Sequence, residues 1–137
     1  MGTWDVGSFD NDDAADWAFE LEECGDLSVI EDAIASALDA GEDYLEAPTA
    51  TVAIAAVETL ARLQGFWGER SAYTEAVDAW VERVKLPVPP ALAAQAVQAL
   101  DRILGEQSEL RELWEESEEF DAWKATVAEL RSRVHTV

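Results

Sequence analysis

Residues 49–63, TATVAIAAVETLARL, carry apolar side chains on nearly every side of a 3.6-residue helix. A helix facing water keeps one apolar stripe, whereas one that is apolar all round is buried among others. The only polar stripe here is Glu58 and Arg62, an i,i+4 pair in the favourable acid-before-base order. The stretch therefore reads as the central helix of an all-helical protein. Pro48 falls in its first turn, where the missing N–H would be unpaired anyway, and GFWGERS (65–71) breaks it.

Outward from this centre, glycine and proline punctuate further helices. Ala14, Trp17, Ala18 and Leu21 repeat at helical spacing until Gly25 supplies a stop. A second helix opens with Ser28 and Glu31, the S-x-x-E of a capping box, and sets Ile30, Ile34, Ala37 and Leu38 on one face before Gly41. Beyond the central helix, another runs from about Ala72 to Val84 with Tyr73, Val77, Trp80, Val81 and Val84 inward. LPVPP (86–90) is a stiff connector, because three prolines in four positions exclude helix. The next helix spans Ala91 to Leu104 and stops at Gly105.

The remainder, 108–134, reads as one broken helix or two successive ones. Phe120, Trp123, Val127, Leu130 and Val134 follow a 3,4,3,4 spacing, about two heptads and short of a coiled coil. No segment alternates long enough for a strand. The expected architecture is all-α: a single compact bundle of five to six helices over residues 1–137, preceded by an aromatic N-terminal clasp. The sequence also admits a two-helix internal repeat with a period near 40, against chance likeness between Ala-rich amphipathic helices. Aligning 51–65 with 91–105 matches Ala53/Ala93, Ala56/Ala96, Val57/Val97, Leu60/Leu100, Arg62/Arg102 and Gly65/Gly105, and EAVDAWVERV (75–84) resembles EEFDAWKATV (118–127).

Charge is the second strong signal. The chain has 137 residues, 49 % of them hydrophobic, so one domain can bury one core despite a net charge of −21. Residues 1–61 hold sixteen Asp or Glu and no Lys or Arg; residues 62–137 hold fourteen acids and all nine bases. Such a field repels nucleic acid and anionic lipid and speeds association with basic partners. Nucleic-acid binding is disfavoured. The single cysteine, Cys24, can form no intrachain disulfide, and late in a helical pattern a free thiol behaves as a small buried hydrophobe. No basic region precedes an apolar run at the start, and no apolar stretch approaches the roughly 20 residues of a membrane span. A soluble cytoplasmic protein without membrane contact is the expectation.

The burst of acids in MGTWDVGSFDNDDAADW (1–17) invites a calcium-loop reading, which needs a glycine sixth and a bidentate Glu twelfth. Counted from Asp10, those positions are Ala15 and Leu21; counted from Asp12, the sixth is Trp17. Both registers fail. Asp10 or Asn11 instead caps the first free amides, and further acids favour the positive helix end. Trp4 and Phe9, held by Gly2 and Gly7, then fold back over the helix start as the clasp.

Other chemistries lack their residues. Nucleophilic catalysis needs a base beside Ser or Cys, and the one histidine is His135, near the end. Di-metal carboxylate and zinc sites need histidine or cysteine clusters that are absent, and GFWGER lacks the Lys-Ser/Thr of a phosphate loop. No cofactor is expected, and enzyme is the poorer reading. Of the six tryptophans, Trp17, Trp80 and Trp123 take core positions, while Phe66 and Trp67 lie in a loop and Phe19 points away from the first helix's apolar face. Exposed aromatics in acidic surroundings suit partner contact. The candidate partner-binding residues are Asp10, Asp12, Asp13, Asp16, Phe19, Glu20, Phe66 and Trp67.

The opening GTWDVGSFDNDDAADW resembles that of the bacterial family catalogued as domain of unknown function 4259, whose members start G-x-W-G-x-G-x-F-D-N-D-x-A-x-D. Gly2, Trp4, Gly7, Phe9, Asp10, Asn11, Asp12, Ala14 and Asp16 match, and Asp5 stands where glycine is usual. The similarity continues through DYLEAP (43–48) and ALDRILGEQSELRELWEES (99–117). It implies family membership over nearly the whole chain and carries over no activity or catalytic residue.

The leading functional reading is a non-enzymatic acidic binding protein, an inhibitor or immunity-type partner of a basic or nucleic-acid-binding protein. Its motives are the base-free first 61 residues and the run EQSELRELWEESEEFD (106–121), with eight acids and one Arg. A helical scaffold or self-associating module whose charge serves solubility or salt tolerance is the first alternative. A metal-dependent enzyme using the N-terminal acids is the second. The oligomeric state is left open.

Overall fold

The apolar stretch becomes a buried hub. In the computed structural model, which describes residues 12–40, 43–68 and 74–134, seven helices follow one another. They are α1 (Asp12–Glu22), α2 (Ser28–Asp39), α3 (Ala47–Leu63), α4 (Glu75–Val84), α5 (Pro90–Leu104), α6 (Glu109–Glu115) and α7 (Phe120–Arg133). α3 packs against each of the other six. Every residue from Ala53 to Leu60 is buried, followed by Ala61 and Arg62. Ala53, Ala55, Ala56 and Ala61 let neighbouring helices approach closely, while Val57 and Leu60 fill the remaining space.

The helix count exceeds the expected five to six because the tail divides. Ser117 Oγ donates to the Trp114 carbonyl at 2.9 Å and accepts from the Glu119 amide at 3.2 Å, a local turn that closes α6 and starts α7. Among the described residues no strand forms; Leu45 and Ser108 make an isolated parallel bridge. α3 starts two residues earlier than the sequence spacing predicts, with Pro48 in the first turn. α4 is seen from Glu75; the expected start at Ala72, with Tyr73, lies outside the described residues, as do Trp4 and Phe9 of the expected clasp.

Two local details correct the sequence reading. The capping box at Ser28 and Glu31 does not form, because Ser28 is already the first helical residue. Its amide donates instead to Asp26 Oδ1 at 3.0 Å. The Ser28 hydroxyl and amide, with the Cys24 thiol, hold the exposed Asp26 carboxyl down at about 2. Because this pKa is depressed, the cap is charged and intact at any pH above the ordinary carboxylate range and is lost only as pH falls towards 2. Cys24 lies beyond the end of α1 and is half-buried rather than core, its thiol 3.1 Å from Asp26 Oδ1.

The C-terminus of α3 follows from one glycine. Gly65 takes φ 92°, with its amide on the Arg62 carbonyl at 3.0 Å and the next amide, Phe66, on the Ala61 carbonyl at 3.0 Å. That left-handed exit satisfies the last carbonyls and turns Phe66 and Trp67 back along the helix. Gly105, aligned with Gly65 in the sequence repeat, is extended (φ −85°, ψ −165°), so α5 ends differently. The aligned pairs Ala53/Ala93, Ala56/Ala96 and Leu60/Leu100 are buried in both helices, whereas Val57 is buried and Val97 only partly.

Candidate functional site

Three constellations stand out: a buried charge cluster, a junction between distant loops, and an exposed acidic face. The cluster is centred on the polar stripe of α3. Arg62, only 2 % exposed, donates from Nε to Glu58 Oε2 at 3.2 Å and from Nη1 to Asp78 Oδ1 on α4. Thr74 Oγ1 donates to the other oxygen of Asp78 at 2.8 Å. Arg133, at the end of α7, grips Glu58 with both Nη atoms at 2.7 Å and reaches the Phe66 carbonyl at 3.1 Å. The Trp67 ring lies 5.6 Å from the Arg62 guanidinium carbon. Among the described residues, no buried side-chain N or O is left without a partner. Paired and bonded in this way, the buried charges bear the cost of desolvation. The arrangement suits fixing α3, α4 and α7 together.

The junction joins segments some sixty residues apart. The Leu45 amide donates to the Gln107 carbonyl at 2.8 Å, and the Glu109 amide to the Leu45 carbonyl at 2.9 Å. Arg102 spans the carbonyls of Asp43, Glu106 and Gln107. Tyr44 donates to Glu112 at 2.8 Å, a bond that pushes its hydroxyl pKa up to about 12. The Ala47 amide at the start of α3 donates to Glu109 Oε1 at 2.7 Å. A carboxylate from α6 thus caps α3 from outside. Glu109→Ala is expected to lose about 1 kcal/mol, as for a helix cap, read as a lower urea midpoint with an unchanged slope.

Most of the predicted partner-binding residues that can be placed lie on α1. Asp13, Asp16, Phe19 and Glu20 are exposed, opposite the buried Ala14, Trp17, Ala18 and Leu21, and Phe19 keeps 66 % of its surface open. Asp12 begins the helix; Asp10 lies outside the described residues. Phe66, 40 % exposed, and Trp67, half-buried, are tied into the charge cluster instead. Trp67 covers the Arg62 guanidinium with one part of its ring and keeps the rest open. Among the described residues every ion pair lies on α3 to α7. Among the described residues, no group of three or more His, Cys, Asp or Glu is placed to hold a metal, and no helix is long and apolar enough to cross a membrane.

These features define an all-helical acidic protein built around one buried helix, whose ion pairs among the described residues all lie on α3 to α7. The chain belongs to the family described as domain of unknown function (DUF4259), whose model matches residues 2–126. Both segments of the loop junction fall inside the match, whereas Glu129, Arg131 and Arg133 fall beyond it. Neither the curated proteins nor the solved structures contain a match.

Proposed function

We propose that the protein is a non-enzymatic acidic binding protein whose partner is basic, and that the outward faces of α1 and α2 meet it. The supporting observation is the division of charge. Each described arginine has a partner within the chain: Arg62 and Arg133 in the cluster, Arg102 on loop carbonyls, Arg111 on Glu115, Arg131 on Asp101 and Arg83 on the Glu22 carbonyl. Asp13, Asp16, Glu20, Glu22, Glu31, Asp32 and Asp39 stand exposed on α1 and α2. Asp13–Asp16 and Asp16–Glu20 are like-charge neighbours at i,i+3 and i,i+4, an arrangement that costs helix stability. A cationic partner relieves that cost, and Phe19 among the acids offers a ring for a cation or an apolar side chain.

The duplication belongs to the same reading: α3 and α5 supply paired buried walls, while Asp78 and its aligned Asp121 have diverged into a buried ion-pair partner and an exposed acid.

The test is a charge-matched pair of triple variants. Asp13→Asn, Asp16→Asn and Glu20→Gln are expected to slow association with a captured partner, while Glu116→Gln, Glu118→Gln and Glu119→Gln leave it nearly unchanged. Association should also weaken steeply as added salt shortens the screening length from about 30 Å at 0.01 M to about 10 Å at 0.1 M. Binding that ignores both the α1 variant and ionic strength would favour a scaffold whose charge serves solubility.

A further inference from the structure

α7 is held by two anchors of different physics. At its start, Trp123 stacks on Trp114 of α6 with ring centroids 6.1 Å apart, and Phe120 lies 6.3 Å from Trp123. At its end, two arginines reach to opposite sides. Arg131 donates to both carboxylate oxygens of Asp101 on α5, at 2.8 and 3.2 Å. Arg133 takes the Glu58 carboxylate of α3 with two bonds of 2.7 Å, and holds Glu129 of its own helix at 2.6 Å. Between the anchors only Val127 and Leu130 are buried, with Val134 just beyond the helix. In all, α7 buries three side chains in fourteen residues, against eleven in seventeen for α3. Apolar contact is thin where ionic contact is dense, the pattern of a segment that opens below the global unfolding free energy.

We propose that residues 127–134 form a C-terminal strap that opens and recloses on α3 and α5 as one unit, with Arg133 as its clasp on Glu58. The two arginines sit two positions apart on one helix end, so lifting one lifts the other. The Trp114–Trp123 stack lies on the other side of the opening and stays closed. Opening remains local because Glu58 keeps the Arg62 Nε bond when Arg133 leaves. That second guanidinium spares the buried carboxylate the cost of standing alone. The open strap uncovers Glu58 and Asp101 and the apolar side of Val127 and Leu130. Gly68 makes room for the clasp: a Cβ there would lie 2.8 Å from Arg133 Nη1.

Amide hydrogen exchange on the full chain tests this. In the unaltered protein, amides 129–133 are expected to exchange through an opening insensitive to low urea, while those of α5 between Ala96 and Leu100 exchange only by global unfolding. Arg133→Gln, which removes the clasp, and Gly68→Ala, which crowds it without touching a charge, should each speed exchange at 129–133 by about tenfold or more, with α5 changed less than about twofold. The strap is overturned if 129–133 and α5 exchange at the same free energy in the unaltered protein. It is equally overturned if Gly68→Ala speeds both regions alike or neither.

Discussion

Arg62→Ala is expected to destabilise the protein by about 3–5 kcal/mol, the cost of leaving a buried charge without its partner. The substitution removes the one guanidinium that joins Glu58 on α3 to Asp78 on α4. Glu58 retains Arg133, but Asp78, only 8 % exposed, is left with the neutral hydroxyl of Thr74. Arg62→Met, which fills much of the same volume without charge, should cost nearly as much, because the loss lies in Asp78 rather than in the cavity. Adding Asp78→Asn to Arg62→Met should recover part of the loss, since a neutral amide is far less costly to bury than a carboxylate. Urea unfolding followed by far-ultraviolet circular dichroism measures all three. With total stabilities of about 5–15 kcal/mol usual for domains, the single variant stands near the edge of folding. A loss below about 1 kcal/mol would place the cluster with exposed ion pairs, whose charges water screens.

The same cluster shows where the sequence was legible and where it was not. The Glu58–Arg62 pair is local, four residues apart on one helix, and could be read directly. Asp78 and Arg133 join it from 16 and 75 positions away, which no helical periodicity encodes. One signal was present: Asp78 sits between Val77 and Trp80 on an inward stripe, and an acid there demands a buried cation.

The burial of α3 followed from its apolar circumference, and Pro48, Gly65 and the prolines after α4 marked helix ends through backbone geometry, although Pro90, read as connector, is the first residue of α5, where its missing N–H costs nothing. The start of α2 at Ser28 was legible, but its capping was misread because D-x-S and S-x-x-E overlap in DLSVIE (26–31). Asp26 reaches the Ser28 amide with its own backbone non-helical, and that geometry prevails. The tail was read as one broken helix or two successive ones, and the choice between them rests on Ser117, whose hydroxyl bonds two backbone groups. On the surface, the acid excess of residues 1–61 was legible, whereas the partner that each described arginine finds within the chain needed the tertiary structure.

Trp80→Ala is expected to cost about 3–5 kcal/mol, as for truncating a fully buried large aromatic. Trp80 is 1 % exposed and lies on α4, which packs against α1 and α3. Its indole N–H donates to the Cys24 carbonyl at 2.7 Å, tying α4 to the turn between α1 and α2. The side chain therefore does two things: it fills the space between helices and fixes the turn that presents the acidic face. Trp80→Phe separates them by keeping most of the apolar volume and removing the donor. It should cost about 0.5–1.5 kcal/mol for the hydrogen bond plus a smaller packing loss. The half-buried Cys24 thiol gives a local readout. Thiol labelling under native conditions should quicken in both variants as the turn loosens, while global stability, measured by urea unfolding, falls far more for alanine than for phenylalanine. Equal losses in the two variants would assign the whole effect to the hydrogen bond. A loss under about 1 kcal/mol for alanine would mean that α4 does not pack through this ring at all.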